Sequence, residues 1–137
     1  MRILATSSIL FTLLAQGAGA ADSGETKRPV LVGGEADLDA CGSVGEPMGL
    51  RSDGDNFLAV RAAPSSSAPI VFRLKSGQSF YMCDASGDAR WTGIVFDPGP
   101  ESERDCGVAS PQAVRDAYAG PCFSGWVSTR YVRLVAG

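Results

Sequence analysis

The sequence predicts an all-β chain folded as a small barrel of about five short strands, with one short helix in an inserted loop. Three observations lead there. From Asn56 onward apolar and polar residues alternate in short runs, the period of a half-buried strand. Clusters of Gly, Pro, Ser and Asp separate these runs, and the chain holds 17 Gly and 8 Pro in 137 residues. Four cysteines and no histidine suit a small exported domain cross-linked by disulfides, whose core alone would be marginal.

The first residues concern location. Met1-Arg2 puts a positive charge ahead of an apolar stretch from Ile3 to Leu14, broken only by Thr6, Ser7, Ser8 and Thr12. Small residues follow, with Ala18 and Ala20 placed to fit a signal peptidase. This order predicts a cleavable signal peptide over residues 1–20, cut after Ala20 or Ala21. A spanning helix needs roughly 20 apolar residues, more than this run supplies. No Cys follows it to carry a lipid, and no later stretch is apolar enough to span, so no membrane span is expected in the mature chain. The expected location is the periplasm or the outside of the cell. Cleavage removes Arg2 and no acid, which moves the net charge from −3 to −4. An acidic chain lacks the basic footprint of a nucleic-acid binder, so nucleic acid is not an expected partner.

Residues 21–40 are polar and aperiodic apart from Val30-Leu31-Val32, and are expected to form a mobile leader. The domain proper is expected over residues 41–137. Its first strand alternates Leu58, Val60 and Ala62 with Ala59 and Arg61, and ends at Pro64. The second alternates Ile70, Phe72 and Leu74 with Val71, Arg73 and Lys75, and Ser76-Gly77-Gln78 turns the chain. Phe80 to Cys83 and Trp91 to Phe96 are the third and fourth, the latter rich in aromatic and β-branched residues. Asp97 to Asp105 holds too much Pro and charge for a strand interior. Ser110 to Tyr118 is expected to be the helix, with Ser110 as N-cap, Pro111 in its first turn and Gly120-Pro121 as its stop. Gly125 to Leu134 supplies a strand, a short turn and a last strand.

Cys41, Cys83, Cys106 and Cys122 all follow the signal segment. Four cysteines allow three pairings, and sequence alone does not choose among them. The pairing expected is Cys106–Cys122 with Cys41–Cys83; the first closes a loop of about 15 residues, for which the chain-entropy picture gives about 3 kcal/mol. With no Cys-x-x-Cys pair and no histidine, no metal site is expected.

Four segments taken together resemble a bacterial SH3 (SH3b) domain. They are Leu58-Ala59-Val60-Arg61-Ala62-Ala63-Pro64-Ser65, the turn Leu74-Lys75-Ser76-Gly77 before Phe80, the strand start Trp91-Thr92-Gly93-Ile94, and Gly125-Trp126-Val127-Ser128-Thr129-Arg130-Tyr131-Val132. The resemblance covers about residues 56–135 and implies an SH3-like barrel. It places Leu58, Val60, Ile70, Leu74, Ile94, Val127 and Val132 inside, Gly77 and Gly125 in turns, and Arg61 on a carbonyl or acid near the barrel mouth. It also implies a binding module that docks on peptidoglycan or its peptides. The departure is residues 97–124, inserted where the family has a few residues; an insertion this long and disulfide-bonded is expected to be functional. It could cover the family's groove or form a new surface for a periplasmic protein partner, the alternative function.

Catalytic chemistry is thin in this sequence. Without histidine there is no Ser-His-Asp or Cys-His arrangement, and the carboxylates sit in Gly, Pro and Ser contexts that hold no fixed pair. Asp53-Gly54-Asp55-Asn56 lacks the spacing of a calcium loop. No enzyme activity and no cofactor are expected. The candidate ligand-binding residues are aromatic: the resemblance implies that Trp91, Trp126 and Tyr131 flank the barrel face, extended by Tyr81 and Phe123, and aromatic faces give peptides and sugar rings apolar area with a polar edge. Trp126 and Tyr131 serve equally well as plugs of the barrel end, and the sequence leaves both roles open.

Overall fold

The structure is a computed structural model that describes residues 25–99 and 104–137. The expected signal peptide, residues 1–20, lies outside the described residues. In chain order the elements are β1 (Leu31–Val32), β2 (Glu35–Asp39), β3 (Ser43–Pro47), β4 (Leu58–Arg61), β5 (Ile70–Leu74) and β6 (Phe80–Ala85). They continue with β7 (Trp91–Phe96), β8 (Pro111–Gln112), β9 (Asp116–Ala117), β10 (Phe123–Ser128) and β11 (Val132–Ala136). One 3-10 turn, Thr129–Tyr131, joins β10 to β11. The described residues are all-β, as the pattern predicts, but their main sheet has seven strands and is not closed into the expected barrel of about five. Among the described residues no helix is long and apolar enough to cross a membrane.

Seven strands form the main sheet, in the order β11-β3-β6-β7-β10-β4-β5, with every neighbouring pair antiparallel. β11 and β5 are its two edges. Along β4 the alternation works as read: Leu58 and Val60 are buried, Ala59 and Arg61 half-buried. Leu58, Val60, Leu74, Phe80, Ile94, Phe96 and Val127 pack into one apolar cluster, and Val132 leans against it. Ile70 is only half-buried.

β7 behaves differently. After Trp91 every residue from Thr92 to Phe96 is buried, on both faces of the strand. One face belongs to the cluster just described. Over the other lies a second cluster, Val32, Ala40, Cys41, Val95, Cys106 and Val108, with Tyr81 and Tyr118 at its margin. Segments outside the main sheet supply most of it.

Two expectations are corrected here. Residues 25–40 are not a mobile leader: Val30 is 2% and Val32 3% exposed, and β1 and β2 pair with β9 and β8. Residues 28–32 lie along the sheet as a strap. Ser110 to Tyr118, in turn, is not a helix; it carries β8 and β9. A lone helix of nine residues is marginal in water, and here strand partners were at hand. Ala40 N–H donates to the Ser110 carbonyl at 2.8 Å, Gly34 N–H to Gln112 at 2.9 Å, and Tyr118 N–H to Val30 at 2.8 Å. The backbone groups a helix would have paired internally are used by the strap and by residues 34–40 beside it instead.

The disulfides are Cys41–Cys83 and Cys106–Cys122, as expected. The first ties the segment between β2 and β3 to β6; the second closes the insertion on itself. Gly77 is in a turn with φ of 85°, where a side chain would be strained. Gly125 is not in a turn. It lies within β10, where a Cβ would come within 2.5 Å of the Val60 side chain and 2.9 Å of the Arg61 carbonyl. Glycine there lets β4 and β10 approach closely.

Candidate binding groove

The 3-10 turn after β10 is fixed from both sides. Thr129 N–H donates to the Arg90 carbonyl at 2.9 Å, and the hydroxyls of Thr92 and Thr129 are hydrogen-bonded at 2.9 Å. Met48 N–H donates to the Tyr131 carbonyl at 2.9 Å. These bonds seat Arg130 and Tyr131 beside the start of β7. The turn before β7 is closed by Asp88, whose carboxylate accepts from Ser86 Oγ at 2.6 Å and from Arg90 N–H at 3.1 Å. The Ser86 hydroxyl first, and then the Arg90 N–H, hold its carboxyl below the usual carboxylate range. Ser86 Oγ also accepts from Trp91 N–H at 3.0 Å, so the backbone carrying Trp91 is held as firmly as the turn that faces it.

Between these elements runs a groove of about 480 Å³, whose walls include Phe57, Ile70, Trp91 and Tyr131. A second hollow abuts it and shares Ser66, Trp91 and Ser128 with it. Arg61 lies on the floor side, where its guanidinium donates to the Ala68 carbonyl at 2.8 Å. That is the carbonyl partner expected of it. The Arg130 guanidinium sits 5.2 Å from the centre of the Tyr131 ring and Arg73 sits 5.1 Å from that of Phe57, both within cation–π range.

Of the candidate ligand residues, the fold brings two together: Trp91 and Tyr131 share the groove. Trp126 is elsewhere. It is 1% exposed, and its indole N–H donates to the Arg28 carbonyl at 2.9 Å beneath the strap. Its role in this fold is to anchor the strap. Tyr81 is half-buried against the second cluster and borders a smaller hollow of about 230 Å³ by β3 and β7. Phe57 and Arg130 were missed by the sequence reading. Both could have been found: Phe57 directly precedes Leu58, and Arg130 fills a variable position within the Gly-Trp-Val-x-x-x-Tyr-Val segment.

The insertion also bounds a hollow of about 480 Å³, lined by Val32, Val108, Gln112 and Tyr118 among others. Its polar groups are largely engaged. The Tyr118 hydroxyl donates to the Cys106 carbonyl at 2.8 Å and accepts from Cys122 N–H at 3.1 Å. Gln112 Nε2 donates to the carbonyls of Val32 and Val114 at 3.2 and 2.8 Å. Among the described residues no group of three or more Cys, Asp or Glu side chains comes together as metal ligands would.

No family model, curated protein or solved structure matches the chain. The groove therefore stands on its own geometry. Its aromatic walls offer flat apolar area and its rim offers guanidinium donors, a combination that holds a peptide or sugar by contact and hydrogen bonding.

Proposed function

We propose that this protein is a non-catalytic binding module of the cell envelope that docks on peptidoglycan or its peptides through the groove beside Trp91. The observation that carries the reading is the convergence of Phe57, Trp91 and Tyr131 on one rigidly framed groove. The resemblance of four sequence segments to SH3b domains motivates it, and the meander at the centre of the main sheet is compatible with it. β6, β7 and β10 follow one another as an antiparallel meander, and a 3-10 turn links β10 to the last strand. The two disulfides agree with an oxidising compartment such as the periplasm or the outside of the cell. Modest affinity suffices on a polymer that many copies engage at once.

The test is co-sedimentation with purified cell-wall sacculi. Wild-type protein should pellet with sacculi, and the Trp91→Ala and Phe57→Ala variants should lose roughly tenfold or more in affinity, since truncating an aromatic anchor of a binding surface costs about 2 kcal/mol. No pelleting of the wild type, or equal pelleting of both variants, would overturn the reading.

A second reading has one observation in its favour. Val114, in the insertion, is 71% exposed beside the hollow lined by Tyr118. A protein partner seated there would make this an interaction or inhibitor module. Val114→Asp should then abolish capture of a periplasmic protein and leave sacculus binding intact.

A further inference from the structure

The charge along the groove is opposite to that of the chain. The protein carries 12 basic and 15 acidic residues. Yet Arg51, Arg61, Arg90 and Arg130 all line the groove and its adjoining hollow, against only Asp55 and Asp88. Asp88 is committed to closing its turn through Ser86 and Arg90. Among the described residues, Arg61, Arg90 and Arg130 form no ion pair with any carboxylate, nor do Arg73 and Arg104, whereas Arg28, Arg115 and Arg133 each have one. Arg51 has a loose, exposed contact with Asp53 at 3.4 Å. A protein of net negative charge has thus gathered four guanidinium groups, three of them without an ion pair, along this aromatic groove and the hollow beside it.

Guanidinium groups are suited to carboxylates, because their planar N–H pairs match the two carboxylate oxygens. Arg130 is further pre-oriented by the Tyr131 ring beneath it, so less rotamer freedom is lost when it engages a ligand. A neutral glycan would leave these charges unanswered.

We propose that the groove recognises the free carboxylate of a short wall-type peptide rather than the neutral sugar chain. The peptide backbone and its small side chains lie against Phe57, Trp91 and Tyr131, and the carboxylate meets Arg130 and Arg90. This inference rests on the reading of the protein as a wall-binding module and names the part of the polymer that it holds.

The experiment titrates full-length mature protein with three probes, following the Trp91 indole signal by NMR. They are a short alanine-terminated wall peptide, the same peptide as its C-terminal carboxamide, and a neutral chitin oligosaccharide. Sacculus co-sedimentation is run alongside. The carboxylate peptide should bind, and binding should weaken with added salt. Amidation should weaken it roughly tenfold, the equivalent of about 1.4 kcal/mol. Arg130→Gln with Arg90→Gln should remove most of the difference between the two peptides. Both substitutions are at exposed positions, and an unchanged amide spectrum elsewhere checks the fold. Sacculus binding with equal affinity for both peptides, or with the oligosaccharide bound best, overturns the inference and leaves the wall reading standing. Peptide binding without sacculus binding supports the inference and overturns the wall reading. Binding to neither overturns both.

Discussion

Leu58, Val60, Leu74, Phe80, Ile94, Phe96 and Val127 fill one side of the main sheet with branched and aromatic side chains alone. Across β7, the other cluster is made of Val32, Ala40, Val95 and Val108, with all four cysteines in or beside it. The first is built by residues of the main sheet, which that sheet's own strand pairs bring together. The second joins the strap and the insertion, which have only two-residue strands and few large side chains to hold them. Short segments of that kind cannot bury enough apolar surface to offset their ordering entropy. Covalent links sit where packing alone is weakest, and none crosses the interior of the larger cluster.

The largest expected effect comes from breaking the packed side. Phe96→Ala removes a ring that also meets Phe72 at 5.1 Å between centroids. It should cost about 3–5 kcal/mol, read as a fall in the urea midpoint shared by all probes. Next is the linked side. Cys41→Ala with Cys83→Ala should cost about 2–4 kcal/mol. Its loss should be uneven, with amide exchange rising first at Val30 and Leu31 while β4 and β10 stay protected; equal exchange throughout would erase the distinction between the two clusters. Smaller still is Trp126→Phe, which keeps an aromatic ring but removes the hydrogen bond to the Arg28 carbonyl. About 1 kcal/mol is expected, again with exchange concentrated in the strap.

The smallest effect is a control outside both clusters. Asp88 titrates below the usual carboxylate range because Ser86 Oγ and Arg90 N–H bond its charged form. Its folded value lies beneath its unfolded one, so the contribution is present above the unfolded value and is lost as pH falls through the depressed one. Acidification should therefore loosen residues 86–91, seen in their amide shifts, before it affects the strap. Asp88→Asn should abolish that transition.

Much of the packed side was legible in the sequence. Leu58, Val60 and Leu74 face inward as their alternation demands, because the period of a strand is a local property. The cysteine pairing also came out as expected. The strap and the insertion were misread for a common reason. Val30 and Val32 in a polar stretch, and Pro111 after Ser110, look like a leader and a helix start when each is taken alone. Only their pairing with each other, about 80 residues apart, makes them strands. The sequence left Trp126 open between a ligand role and a structural one for the same cause, since the group covering it is the Arg28 carbonyl. One local sign was available. Trp91-Thr92-Gly93-Ile94-Val95-Phe96 has Thr92 as its one polar residue and no polar alternation, which is how a strand covered on both faces reads. A second layer was implied there, although not what would supply it. For the groove, Trp91 and Tyr131 were legible as aromatic candidates, but the guanidinium rim is assembled from four separate loops and strands and has no linear motif.

The strap has a consequence for how this chain reaches its final form. Arg28 and Trp126, which it joins, are among the first and the last described residues to be synthesised. An exported chain threaded N-terminus first presents the strap before its anchor. Meanwhile β4, β5, β6 and β7 can already pair, leaving Val95 and Gly93 uncovered on one side. The interval is one of exposure, in which a passing chain could lie where residues 28–32 belong. Arrival of β10 ends it, and the first-made segment is the last to settle.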